Sequence, residues 1–343
     1  MKSKRRYAGE NTINDVASLA GVSKATVSRV INNNPGVSTE LEQRVKKAIE
    51  ELSYRPNKLA QALKARNTNS IGLIVPSVEN PVFAQLTRVV ENTAQKYGFA
   101  TILCNSEGDI EKEAECIRLL LEKQVDGIIF DAIGVYSDAF QDVIKHHVPI
   151  VLVGRKIDNF PVANVNVDNR LGGYLATSHL IKTGCKRIVF MQAEHEALSA
   201  VNQRFLGYRD ALDEHALPLD EQLMPKTRLT FESGARATEE LLDQKVLFDA
   251  IFAANDLLAL GCLDMLIERG IGVPEQVSII GYDNIAFGGM ARPRLSTVSN
   301  SVNTISVEAV KCVLRHIYSD NARTEEICFN PQLVLRQSTR NVF

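Results

Sequence analysis

The chain has 343 residues, more than one domain usually spans, and is 45% hydrophobic and 23% charged, a balance that excludes a disordered or fibrous protein. Its net charge is −2, yet residues 1–66 carry +7 and the other 277 carry −9, so the charge that attracts phosphates sits at the N-terminal end alone. No apolar leader and no run of 18 apolar residues is visible, which points to a cytoplasmic protein without a membrane partner. Residues 1–11, with Lys2, Lys4, Arg5 and Arg6, read either as a phosphate-seeking arm or as an unstructured start. From Thr12 to Val30 two short amphipathic helices are expected around a tight turn. Thr12 caps the first, Val16, Leu19 and Ala20 form its inward face, and Gly21 ends it. Ser23 caps the second, which buries Val27 and Val30 and turns Lys24, Ala25, Thr26, Ser28 and Arg29 outward. A third helix begins at Ser38, carries an apolar stripe of Leu41, Val45, Ala48, Ile49 and Leu52, and stops at Tyr54-Arg55-Pro56-Asn57, because a residue before proline is pushed out of the helical region.

This is the pattern of a helix-turn-helix that reads DNA. Short polar side chains on the second helix suit phosphate oxygens, and a long cation can reach guanine O6 and N7 in the major groove. Residues 57–64 are good helix formers but too few for a stable isolated helix, so they need a partner. Residues 65–69 read as a linker.

Asp15-Val16-Ala17, Ala20-Gly21-Val22-Ser23, Thr26-Val27-Ser28-Arg29-Val30 and Tyr54-x-Pro56-Asn57-x-x-Ala60-x-x-Leu63 together make the sequence resemble the LacI/GalR family of transcriptional regulators. The resemblance implies a DNA-binding headpiece over 1–56, a hinge over 57–69 and an effector-binding, dimerising body over 70–343. It implies DNA contacts from Thr12, Ser23, Lys24, Ala25, Thr26, Ser28, Arg29, Asn32, Tyr54, Asn57, Ala60 and Leu63. In the resemblance Asn57–Lys64 is a hinge helix that folds when two copies pair in the minor groove. Leu63 would wedge between base pairs there and Ala60 would keep the pair close. A passive linker with Leu63 packed on the next domain is the other reading.

From Ser70 onward, apolar β-branched runs alternate with helical patterns. Strands are expected at 70–75, 99–104, 126–130, 149–153, 186–191, 248–253 and 276–280. Helices are expected at 81–97, 109–123, 137–146, 169–183, 200–214, 232–243, 255–268 and 302–317. The fold class is therefore α/β: a three-helix headpiece followed by two doubly wound lobes. The resemblance implies the periplasmic-binding-protein type, with an N-lobe of about 70–167 and 299–328, a C-lobe of about 168–298 and 329–343, and crossovers near Val167, Val298 and Phe329.

Ligands of open α/β sheets bind beyond the carboxyl ends of the strands, and polar residues gather there. Ser77-x-x-Asn80-Pro81-x-Phe83 follows the first strand and resembles an element that touches the sugar. Gly154-Arg155-Lys156 follows the fourth: Arg155 matches the arginine that the family's sugar binders often have there, whereas Gly154 stands where they often have an acid, which argues against a plain ribose. Arg204-x-x-Gly207-Tyr208, Asn255-Asp256, Asp283 and Asn300 match cleft residues of the family, and Phe83 or Phe231 can cover the apolar side of a sugar ring. The effector set is thus Asn80, Phe83, Arg155, Arg204, Phe231, Asn255, Asp283 and Asn300. Asp168-Asn169 and Asp256 also read as plain helix starts. Arg155 and Arg204, with Lys156 adjacent, lean toward a sugar acid or sugar phosphate over a neutral sugar.

Six scattered cysteines without a Cys-x-x-Cys pair indicate neither zinc nor a disulfide framework, and no cofactor or metal is expected. No nucleophile elbow, phosphate-binding loop or His-Glu-x-x-His appears, so an enzyme is not expected. An enzyme acting on a sugar, or a sugar-binding module recruited by its headpiece without repressing, are the alternatives. The resemblance implies a repressor of carbohydrate-metabolism genes, a dimer or dimer of dimers on near-palindromic operator DNA, controlled by a small sugar or its derivative as inducer or co-repressor.

Overall fold

The computed structural model describes residues 12–31, 35–52, 54, 68–131, 138–154, 162–194, 199–319 and 325–341. The chain divides into two compact units, Met1–Thr68 and Asn69–Phe343. Asn32, Asn57, Ala60, Leu63 and the rest of the expected hinge lie outside the described residues, as do Arg155, Lys156 and the N-terminal arm.

In the first unit, helices α1 (Ile13–Ala20), α2 (Lys24–Ile31) and α3 (Thr39–Glu51) enclose a core of Val16, Ala17, Ala20, Val27, Val30, Val45 and Ala48. Thr12 and Asp15 cap α1 reciprocally: the Asp15 N–H donates to the Thr12 hydroxyl, and the Thr12 N–H donates to the Asp15 carboxylate at 2.6 Å. Leu19, expected inward, is 48% exposed, and Ala17 takes its place in the core. At about 100° per residue, Val16, Ala20 and Ala17 span one arc, and Leu19 falls outside it on the Val16 side. Gly21 adopts φ 62°, and Ser23 caps α2 by accepting from the Thr26 N–H at 3.1 Å.

The second unit holds two six-stranded sheets. Strands are β1 (Ser70–Val75), β2 (Ala100–Asn105), β3 (Gly127–Phe130), β4 (Ile150–Val153), β5 (Ala163–Val167), β6 (Ile188–Ala193), β7 (Lys226–Thr227), β8 (Ala250–Ala253), β9 (Ser278–Tyr282), β10 (Ser296–Ser299), β11 (Glu326–Phe329) and β12 (Gln332–Val334). The first sheet runs β11-β5-β4-β3-β1-β2, all parallel, and the second runs β12-β10-β9-β8-β6-β7, parallel except for antiparallel β12. Helices α4 (Pro81–Lys96) and α12 (Val302–Tyr318) cover one face of the first sheet, and α5 (Ile110–Glu122) and α6 (Asp138–Lys145) the other. Around the second sheet, α7 (Asn169–Lys182), α8 (Ser199–Glu214), α9 (Phe231–Asp243) and α10 (Asp256–Glu268) close a core centred on Phe190, Tyr208 and Phe252, whose rings lie 5.2 Å from Phe190. A short α11 (Ala286–Met290) follows β9.

The chain passes between the sheets three times, after β5, after β10 and after β11. All seven strands expected from apolar runs are present within two residues of their expected starts; β5, β7, β10, β11 and β12 were not expected. β5 alternates apolar residues with Asn164 and Asn166, and β7, β11 and β12 are edge strands of two to four residues, so none of them shows a continuous apolar run. No described helix is long and apolar enough to cross a membrane.

Candidate functional site

On α2, Lys24, Ala25 and Arg29 are exposed, and Thr26 and Ser28 are half-exposed on the same helix, opposite the buried Val27 and Val30. The Thr26 hydroxyl lies 2.9 Å from that of Ser23, so these two also shape the helix start. Thr12 is committed to its cap, its hydroxyl 2.6 Å from the Asp15 carboxylate it donates to, and this cap holds the Asp15 pKa below the ordinary carboxylate value. Tyr54 packs its ring against the headpiece core, and burial raises its hydroxyl pKa. Sequence reading missed Arg44. Its guanidinium donates to the Ala20 carbonyl at 2.6 Å, satisfying the carbonyl end of α1 at the turn. A contact across 24 positions leaves no local signal.

The body contains a cleft of about 1040 Å³ lined from both lobes. Asn80, Phe83, Arg204, Phe231, Asn255, Asp283 and Asn300 all line it, so seven of the eight expected effector residues meet at one place. Helix starts supply several of them. Asn80 caps α4, accepting from the Val82 N–H at 3.1 Å ahead of Pro81. Asn255 caps α10 in the same way at 2.9 Å and donates to the Leu229 carbonyl at 3.1 Å. Phe231 opens α9 and remains 37% exposed, a free apolar face in the cleft.

Arg204 comes from α8 and is 8% exposed. Its Nε donates to Asn169 at 2.9 Å, an Nη donates to the Ala254 carbonyl at 2.5 Å, and the guanidinium stacks 3.7 Å from the Tyr282 ring centre. Its other Nη lies 3.7 Å from the Asp283 carboxylate, which also accepts from Asn300 at 3.1 Å. Burial pushes the Asp283 carboxyl up to about 6 against the opposing pull of Arg204 and Asn300. Arg204 is therefore a tethered, charge-balanced group, and it does not offer an anion the unclaimed cation that a reading of Arg155 with Arg204 supposes.

Of two further lining residues, Asn169 was read only as part of a helix start and Asp131 was not read at all. Asn169 holds Arg204, and Asp131 stands just past the carboxyl end of β3, where the strand-end rule finds it. Gly154, at φ 75°, stands beside it: a Cβ there would meet the Asp131 carboxylate at 3.2 Å. Asp131 thus places an acid beside the position where the resemblance expects one at residue 154. Asp256 does not line the cleft; it is fully buried beneath it, accepting from Thr297 at 2.6 Å and from the Ile285 N–H at 2.8 Å. Burial, with the Asp283 charge nearby, pushes its carboxyl up to about 8. Asp168 is a cap for α7. The described residues contain no cluster of metal-ligating side chains.

Comparison with known proteins gives the arrangement a family. A family model described as periplasmic binding proteins and sugar binding domain of LacI family matches residues 68–329, and one described as bacterial regulatory proteins, lacI family, matches residues 12–57. The HTH-type transcriptional regulator DegA of Bacillus subtilis (strain 168) is 36% identical over 334 residues, covering 96% of this chain and 98% of its own. The HTH-type transcriptional repressor PurR of Mannheimia succiniciproducens is 34% identical, covering 96% and 99%. Among solved structures, a transcriptional regulator CelR–cellobiose complex is 30% identical with a TM-score of 0.73, covering 96% of this chain and all of its own. Full-length likeness to these regulators, with family models on both headpiece and body, places the chain in the LacI family: it is a DNA-binding transcriptional regulator and not an enzyme.

Proposed function

We propose that the chain is a cytoplasmic repressor of carbohydrate-metabolism genes whose operator affinity is set by a sugar in the cleft of the body. The carrying observation is that cleft: Asn80, Asn255, Asp283, Asn300 and Arg204 converge with Phe83 and Phe231 at strand and helix ends of both lobes. Carboxylates, amides and a guanidinium suit hydroxyls that donate and accept, and the phenyl faces suit the C–H side of a sugar ring. Asp131 supplies there the acid that Gly154 cannot. Likeness to a regulator solved with cellobiose supports the same class of ligand.

On DNA, Lys24, Ala25 and Arg29 read base edges, and Thr12, Ser23, Thr26, Ser28, Asn32 and Tyr54 position the headpiece on the backbone. Two half-sites require two headpieces, so a homodimer on a near-palindromic operator is the functional unit. Asn57, Ala60 and Leu63 act in the paired hinge, with Leu63 as the minor-groove wedge. Ligand acts by changing the populations of two lobe arrangements, with no catalytic step.

The test is a randomised-site selection with the full chain. A near-palindromic site emerges, exchanging Lys24 and Ala25 changes its sequence, and Arg29→Ala weakens binding by about 1–3 kcal/mol. Equal affinity for all sites would remove the operator reading.

A further inference from the structure

The Asp256 carboxyl lines no part of the cleft, yet it touches the turn that aims one cleft residue. Just past β9, Asp283 and Asn284 take φ 108° and 59° in succession. Two adjacent residues with a Cβ at positive φ are strained, and such a turn persists only where its surroundings hold it. Three consecutive N–H groups supply the hold. That of Asp283 donates to the Val298 carbonyl at 2.8 Å, that of Asn284 to the Thr297 hydroxyl at 3.3 Å, and that of Ile285 to the Asp256 carboxyl at 2.8 Å. Thr297 is bonded to the other Asp256 oxygen at 2.6 Å, so Asp256 controls two of the three anchors, one directly and one through Thr297. Gly281 lets the carboxyl lie against β9, since a Cβ there would collide with it. From the segment after β12, Arg336 donates to the Asn284 side chain at 2.6 Å.

Resting on the reading of the cleft as the ligand site, we infer that Asp256 is a positioning residue: without reaching the ligand, it holds the left-handed turn that presents the Asp283 carboxylate to Arg204 and Asn300. Without its two anchors the turn can relax to negative φ and carry Asp283 away from them. The hold depends on a proton. Burial, with the Asp283 charge nearby, pushes the Asp256 carboxyl up to about 8; while neutral it can donate to Thr297, whose oxygen still accepts from Asn284. Among the described residues, the charges that act on it are Asp283, with Arg204 beyond, and Arg336. β8, β10 and α11 contain no charged residue, and α9, which packs on α10 through Gly234 and Gly261, leaves Glu232, Arg236 and Glu240 exposed. Once ionised, Asp256 opposes the Asp283 carboxylate. The closed turn keeps a proton that the open turn releases, so closure weakens as pH rises toward 8 and levels off above it.

Hydrogen exchange read by mass spectrometry on the full chain tests this, in peptides across residues 281–288 with β6 and β8 as references. At pH 6.5, Asp256→Ala is expected to exchange in the turn at least about tenfold faster than wild type while β6 and β8 stay protected, and Asp256→Asn, which keeps both anchors, to restore protection. In the wild type, turn exchange corrected for its intrinsic pH dependence is expected to quicken at least about tenfold from about pH 6.5 to 9, and in Asp256→Asn to stay level. The wild-type profile needs no variant to fold. Turn protection that is level with pH in the wild type, or unchanged in Asp256→Ala, overturns the inference. Calorimetry with glucose, ribose and cellobiose adds the cleft itself: a sugar that binds wild type is expected to bind Asp256→Ala at least about tenfold more weakly, because fewer molecules hold the competent turn. Equal binding by Asp256→Ala overturns the inference and leaves the sugar site standing. Absence of wild-type binding by all three sugars counts against the sugar reading, and the exchange result then decides whether Asp256 holds the turn.

Discussion

Arg204 shows how one side chain serves structure and ligand at once. Its removal leaves the Ala254 carbonyl, Asn169 and the Asp283 carboxylate buried with a partner missing. Arg204→Ala is therefore expected to lower the stability of the body by about 2–4 kcal/mol and to abolish the ligand response while operator affinity stays near wild type. Denaturant melts and operator titrations measure the two effects separately; an unaltered ligand response would remove Arg204 from the site. Asp256 makes a different statement. Its folded pKa of about 8 lies above the ordinary carboxylate value, so between about pH 4 and 8 the folded state holds a proton that the unfolded state has released. Stability from this group is full below the unfolded pKa and falls by up to about 1.4 kcal/mol per pH unit as pH rises toward 8. Asp256→Asn keeps an acceptor for the Ile285 N–H and can donate to Thr297, so it is expected to match wild type below about pH 4 and to exceed it by a growing margin as pH rises toward 8. Parallel stability curves for the two proteins would contradict the burial argument. At this scale the strand-end rule made Asn80, Asn255, Asp283 and Asn300 legible in the sequence, and the family resemblance alone singled out Arg204, which lies within α8. Asp131 was legible by the same rule and passed over, whereas Arg44 depends on a contact 24 positions away that no local pattern carries.

Among the elements, the paired helices α7 and α8 are held by backbone contact. A Cβ on Gly207 would lie 1.9 Å from the Arg170 carbonyl oxygen, and one on Gly173 would lie 2.1 Å from that of Arg204. These are rigid backbone atoms, so Gly207→Ala must separate the helices and is expected to cost about 3 kcal/mol or more, read as a lowered denaturant midpoint. Because the Gly173 contact is to Arg204 itself, the same separation would displace the cleft arginine. A midpoint within experimental error of wild type would mean that the helices have slack. Helices were legible because amphipathic patterns and caps such as Ser38, Asn80 and Asn255 are local. Strands were legible where the sequence is a continuous apolar run, as in β1, β3 and β8, and silent where it is not, as in β5, whose Asn164 and Asn166 break the run, and in the short edge strands β7, β11 and β12. Leu19 marks the same limit on a helix, since an apolar residue need not point inward.

For the whole molecule, two halves of opposite charge divide the work: the basic N-terminal segment is drawn to phosphates, and the acidic body resists non-specific DNA and turns its carboxylates to the cleft. This division was visible in the sequence as charge bookkeeping, and the family motifs assigned the halves their tasks. Which acids reach the cleft depended on the fold, because Glu79, Asp131, Glu194 and Glu232 are far apart in the chain and meet only across the lobes. The central claim is that ligand in the cleft changes operator affinity at a distance, and such coupling is a free energy shared by both sites. It is measured most directly by titrating labelled operator with the full chain, by fluorescence anisotropy, in the absence and presence of a saturating sugar that binds the full chain in a separate titration. The account predicts that operator affinity shifts at least about fivefold, and that operator shifts sugar affinity by the same factor. A sugar that saturates the cleft and leaves operator affinity unchanged would contradict it.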